Sequence, residues 1–202
     1  MPHWPEKCLI ARDASRSNDV KTMAYFGHIS NLDPALACAS FAEELVNSCG
    51  IELLLPGADR CHDYREVDLA LALRPKVGPA WEGCKPATKL YNAWLAGVPL
   101  VGGLESSFQA AGVPGLDFAV ANDAAAVLRQ AAALSTDRAR YACLRERCAL
   151  RARDYSEAVL TERWADLFLE TIIPLSHVYS RGRRARRLFN KYAYRLKRRG
   201  SF

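Results

Sequence analysis

The chain lacks any run near the roughly 20 consecutive apolar residues that a membrane-spanning helix needs. Its opening, Met1-Pro2-His3-Trp4-Pro5-Glu6-Lys7, holds no apolar stretch, which argues against a secretory leader and makes the cytoplasm the expected compartment. No C-x-x-C pair occurs. The seven cysteines, Cys8, Cys38, Cys49, Cys61, Cys84, Cys143 and Cys148, are odd in number, and His3, His28, His62 and His177 are scattered. No disulfide framework or zinc-site spacing fits, so the cysteines read as reduced small hydrophobes. No G-x-G-x-x-G follows the first apolar run and no G-x-x-x-x-G-K-[ST] is found, which disfavours the common dinucleotide and P-loop folds. Acids, finally, are missing from one stretch. Residues 171–202 contain ten Lys/Arg and no Asp/Glu, while the other 170 residues hold 18 basic and 22 acidic residues. The body is therefore mildly acidic, and the basic balance belongs to the tail, so the domain itself does not read as a nucleic-acid binder.

With 202 residues, half of them hydrophobic and a quarter charged, the chain suits one α/β domain with appendages. Residues 1–21 are polar and irregular and read as a linker or extended arm. Thr22-Met23-Ala24-Tyr25-Phe26 is a short apolar run stopped by Gly27, as a buried strand would be. Asp33 and Pro34 suit a helix start, and Cys38, Phe41, Ala42, Leu45, Val46 and Cys49 follow the spacing of a helical face up to Gly50. Further strands are expected at residues 51–55, 67–73, 98–101 and 116–120. A helix is expected at residues 88–96, closed by Gly97, and a short one from Glu105. Three more helices are expected after caps at Asp123, Thr136 and Ser156. Strands apolar on both faces, alternating with helices, predict a doubly wound parallel sheet over residues 22–170, with a helical, basic extension at 171–202.

Such sheets bind ligands at the C-terminal ends of their strands. Arg74, with Lys76, lies where one strand ends. Lys85 and Lys89 flank a helix N-terminus, where lysines oppose the helix dipole unless an anion neutralises them. Glu105 and Ser106 open the next helix and can hydrogen-bond ligand hydroxyls. The plainer alternative is that both lysines are solvated and Glu105 is a first-turn acid. His28 is the histidine nearest this edge. His62 has no sequence neighbour to make it catalytic, and Trp94 reads as core.

The stretch Lys85-Pro86-Ala87-Thr88-Lys89-Leu90-Tyr91-Asn92-Ala93-Trp94-Leu95-Ala96-Gly97-Val98-Pro99, followed by Gly102-Gly103-Leu104-Glu105-Ser106, resembles the donor-site helix and glycine loop of GT-B glycosyltransferases. Arg12-Asp13-Ala14-Ser15-Arg16 and Ala24-Tyr25-Phe26-Gly27 resemble the linker and first strand of the C-terminal half of those enzymes. The resemblance implies a Rossmann-like domain that binds a nucleoside-diphosphate sugar as co-substrate, with no obligatory metal or other cofactor. It places Gly27 and His28 by the diphosphate or transferred sugar, Lys85 and Lys89 near the diphosphate, and Glu105 near sugar or ribose hydroxyls. Asn92 falls where many retaining members carry a ribose-binding glutamate, and an amide there lacks charge-assisted strength.

By the same resemblance the chain corresponds to about half an enzyme, with the acceptor site in a separate N-terminal domain or subunit. The expected function is donor binding for sugar transfer. The alternative is a non-catalytic module that binds a nucleotide-sugar or a partner. The tail, with Leu188, Phe189, Tyr192, Tyr194 and Leu196 among its basic residues, suits an anionic membrane surface ahead of nucleic acid, which would make the protein peripheral at the membrane.

Overall fold

The structure is a computed structural model that describes residues 4–75, 85–176 and 182–183. Lys76, residues 81–84 and the aromatic and basic residues of the tail from 184 onward lie outside the described residues. The chain divides into two units, Pro2–Val159 and a second made of Leu160–Phe202 with Met1. The division falls at 159/160, ahead of the step in charge at 170/171.

Among the described residues of the first unit, five strands form one parallel sheet in the order β2-β1-β3-β4-β5. They are β1 (Thr22–Ala24), β2 (Glu52–Leu54), β3 (Leu69–Ala72), β4 (Leu100–Gly102) and β5 (Ala119–Val120). Met23 lies beside Leu53 on one side and Leu69 on the other, and Leu71 lies beside Val101. The helices are α1 (Ala39–Cys49), α2 (Thr88–Ala96), α3 (Ser106–Ala111), α4 (Ala124–Thr136), α5 (Arg138–Asp154) and α6 (Glu157–Asp166), the last crossing from one unit into the other. This is a Rossmann-like α/β sheet flanked by helices, as the alternation predicts.

Strand β3 is buried along its whole length. Leu69 and Leu71 share a core with Met23, Val101, Phe41 and Leu45 of α1, and Val127 and Leu134 of α4. Side chains alternate across a strand, so Ala70 and Ala72 point to the other face. α2 buries Leu90, Tyr91, Ala93 and Trp94 and packs against α5. The Tyr91 ring stacks on Tyr155, and the Trp94 indole N–H donates to the Asp117 carbonyl at 2.9 Å.

Two helix starts differ from expectation. Asp33 and Pro34 open a pair of turns, closed by Leu36 N–H to the Asp33 carbonyl and Ala37 N–H to the Pro34 carbonyl, and α1 begins only at Ala39. The turns let both Leu32 and Leu36 reach the core, which a straight helix entry would not arrange. Thr136 ends α4, with its hydroxyl on the Ala132 carbonyl. Asp137, which accepts from the Arg140 N–H at 2.9 Å, caps α5 instead.

The arm is extended and tied down. Ile10 exchanges backbone hydrogen bonds with His62 and Tyr64, and the Arg12 N–H reaches the Ala96 carbonyl at 3.0 Å. The Asp68 carboxylate, fully buried at the start of β3, gathers the remainder. It accepts from Arg12 Nη2 at 2.8 Å, Arg16 Nη2 at 2.9 Å and the Lys21 N–H at 2.9 Å, as well as from the Thr22 N–H and hydroxyl. The Tyr141 hydroxyl of α5 donates to the Asp68 carbonyl at 3.0 Å. Burial alone would raise the Asp68 carboxyl. Hydrogen bonds from Arg16, the Lys21 N–H and Arg12 outweigh it and hold the pKa below the ordinary value.

Asp68→Asn should therefore leave the Arg12 guanidinium buried without its counter-ion and lower stability by about 3–5 kcal/mol in urea unfolding. Because the folded carboxyl titrates below the unfolded one, its contribution is complete above about pH 4 and is lost as pH falls through the folded pKa. The acid limb of the wild-type stability profile should accordingly be steeper than that of Asp68→Asn. Equal acid limbs would show that Asp68 carries no such linkage.

Candidate functional site

The order β2-β1-β3 reverses the direction of strand succession between β1 and β3. In open α/β sheets the crevice beyond the strand ends at this reversal is where ligands bind. Here it is bounded by Tyr25, Phe26 and Gly27 after β1, Arg74 after β3, and the Leu104–Glu105 turn after β4.

Lys89 lies in the first turn of α2 and is half-buried. Its Nζ sits 4.2 Å from the Tyr25 ring centroid and donates to the Phe26 carbonyl. Burial first, and the Arg74 charge second, push its pKa down to about 8, while Cys61 and Glu105 pull the other way. Gly27 follows with a φ of +146°, in the region that favours glycine, and a Cβ there would come within 2.5 Å of the Lys89 amine. The Tyr25 hydroxyl donates to the His28 carbonyl at 3.2 Å and braces the turn.

Arg74 Nε donates to Glu105 Oε1 at 2.9 Å. Glu105 is the N-cap residue of α3, yet its side chain makes no capping bond, so the carboxylate serves Arg74 rather than the helix. A sequence pattern alone reads such a glutamate as a first-turn acid. The hydroxyl of Ser107 is buried with no hydrogen-bond partner among the described residues, whereas Ser106 is exposed. His28 is exposed. Its Nδ1 lies 2.7 Å from the Ser30 hydroxyl and accepts the Ser30 N–H, so it caps the 3-10 turn Ile29–Asn31. With Nδ1 accepting, the neutral ring carries its proton on Nε2.

Gly27, His28, Arg74, Lys89 and Glu105 thus come to one sheet edge. Asn92 is directed elsewhere: it is buried, and its Oδ1 accepts the Glu6 N–H at 2.9 Å, which fastens the arm to α2. Lys85 is half-buried three residues ahead of α2. Two residues of the site carried no sequence signal. Tyr25 sits in an apolar run that reads as core throughout, and Cys61 belongs to a loop far away in sequence. Burial pushes the Cys61 thiol up, so it is not an activated nucleophile.

A separate cavity of about 590 Å3, which shares Phe26 with that edge, opens between the arm and the ends of β1 and β2. Asp13, Arg16, Phe26, Leu54, Arg60 and Asp63 are among its lining residues, and none of the sequence-predicted site residues lines it. It lies where the β2–β3 connection is a 3-10 turn, Ala58–Arg60, instead of a covering helix. Charges of both signs surround it, and Asp63 and Arg65 already pair at 2.8 Å. The chemistry of the crevice at the β1–β3 reversal is the more specific, because a half-buried amine and a guanidinium converge there beside one carboxylate. Among the described residues no group of three or more His, Cys, Asp or Glu is placed to hold a metal ion.

No family model matches the chain, and no curated protein matches it.

Proposed function

We propose that the first unit is the donor-binding domain of a glycosyltransferase and holds the diphosphate of a nucleoside-diphosphate sugar at the β1–β3 reversal. The observation that carries the reading is the pairing of two cations at that edge: Lys89, half-buried with its pKa lowered to about 8, and Arg74, held by Glu105. A buried amine with lowered basicity is stabilised by an arriving anion, and a guanidinium already gripped through Nε presents its terminal N–H groups in a fixed plane. The resemblance of residues 85–106 to a GT-B donor site supplies the sugar-nucleotide identity of that anion. It stands beside the geometry as a second, independent support.

In this reading Lys89 and Arg74 neutralise the charge that builds on the leaving diphosphate as the glycosyl C–O bond breaks. Gly27 lets the backbone after β1 come close to the phosphates. Glu105 orients Arg74, and with Ser106 it accepts from sugar or ribose hydroxyls. The acceptor comes from a separate domain or subunit.

Calorimetry against UDP, GDP, ADP and dTDP, and then their sugars, tests the assignment. Binding of at least one diphosphate is expected, and Lys89→Met and Arg74→Gln should each weaken it by about 1.5–3 kcal/mol, the usual range for a charged hydrogen bond. Absence of binding to all four, or unchanged affinity in both variants, would overturn it.

The lowered pKa of Lys89 gives a second test. Near pH 8 and above, the amine of the free protein has begun to lose its proton, and a bound diphosphate draws the proton back. Binding measured at pH 8–9 in buffers of unlike ionisation enthalpy should show proton uptake, and affinity should fall as pH rises through about 8. Lys89→Met should abolish the uptake. The same uptake in that variant would assign the proton to another group.

A further inference from the structure

The helix that opens with α6 carries an apolar stripe beyond the α/β unit. At Leu167–Ile172 it widens into a π-helix, and it returns to α-helix over residues 173–176. Pro174 accounts for the widening: it has no N–H to give and its ring crowds the carbonyl one turn back, so the ladder shifts, as in the Ile173 N–H bond to the Phe168 carbonyl. Every residue from 168 to 176 is exposed. Phe168, Leu169, Ile172, Ile173 and Leu175 are 39–65% exposed. Their spacing gathers them on one side, continuous with Trp164, whose ring lies 5.9 Å from that of Phe168. Asp166 and Glu170 fall outside the stripe.

Five large apolar side chains in succession on a solvent-facing helix mark an interaction surface. The sequence directly after it says what meets it: residues 177–202 hold ten Lys/Arg and no acid. Among the described residues no helix is long and apolar enough to cross a membrane; an exposed apolar helical stripe followed by a basic run is the composition of a segment that lies on a bilayer.

We infer that residues 164–202 dock the protein on an anionic lipid surface. The stripe from Trp164 to Leu175 enters the boundary between headgroups and acyl chains, and the basic run meets the lipid phosphates. The apolar half of the anchor thus lies upstream of the basic tail, in the helix, and its action does not depend on what the β1–β3 reversal binds.

Co-sedimentation of the full chain with phosphatidylcholine vesicles containing roughly one-third phosphatidylserine tests this, with pure phosphatidylcholine as control. Strong partition onto the anionic vesicles alone is expected, weakening as salt is raised. Leu169→Glu with Ile173→Glu should lower partition by about tenfold or more, and so should truncation after Ser176, because each removes one of the two attractions. Both variants should unfold in a cooperative thermal transition near that of the intact chain, so that loss of partition reports the surface and not the fold. No partition of the intact chain onto anionic vesicles overturns the inference, as does equal partition onto both compositions. A dimer in light scattering that Leu169→Glu dissociates, without vesicle binding, would assign the stripe to a second copy of the chain and overturn it as well.

Discussion

One buried carboxylate fixes the frame on which the candidate site hangs. Asp68 directly precedes β3, the central strand of the sheet, and takes hydrogen bonds from the arm through Arg12 and Arg16, from the entry to β1 through Lys21 and Thr22, and through its carbonyl from α5. A charge buried so completely is tolerable only with this many donors. The geometry follows in sequence. With its first residues held against Asp68, β1 is set in register with β3, and the ends of both strands reach the same edge. Arg74 and the Tyr25–Gly27 turn then face one another.

The arm completes that edge from behind. The Glu6 N–H bonds to Asn92, the Tyr64 N–H bonds to the Ile10 carbonyl, and the Tyr64 ring lies 4.0 Å from that of Phe26. The same segment that closes the back of α2 therefore steadies the residue whose carbonyl Lys89 engages. A second polar knot does the equivalent work at the far side of the sheet. Asp117, buried before β5, accepts from the Val113 N–H and from Arg147 of α5. Both knots centre on a buried carboxylate that takes arginine hydrogen bonds: Asp68 ties the arm to the sheet, and Asp117 ties α5 to it.

Much of the fold was legible because its signals are local. Apolar runs ended by Gly27, Gly50 and Gly97 marked strand and helix limits, and Thr88–Ala96 came out with the boundaries expected of it. The edge residues Arg74, Lys89 and Glu105 were also legible, since a charge placed just after a buried strand, or in the first turn of the helix behind it, has few places to go. Which way a long side chain turns was not. Lys89 could reach solvent or fold back over Tyr25, and only the neighbouring strand end decides between them. Asn92 lies on the buried side of α2, and its partner is the arm, 86 residues away in sequence. Arg12 and Asp68 are 56 residues apart, and no periodicity relates them. Pairings across such separations are set by topology, and a linear pattern carries no trace of them.

The two outermost strands of the sheet bear on self-association. β2 has three residues, with Glu52 exposed, and β5 has two. An open edge is a template for another sheet only when it offers several consecutive unpaired backbone groups on a flat, apolar strand. Neither edge does. Growth of the sheet from molecule to molecule is thereby denied a starting point, and contacts this unit makes with other proteins must be built from side chains.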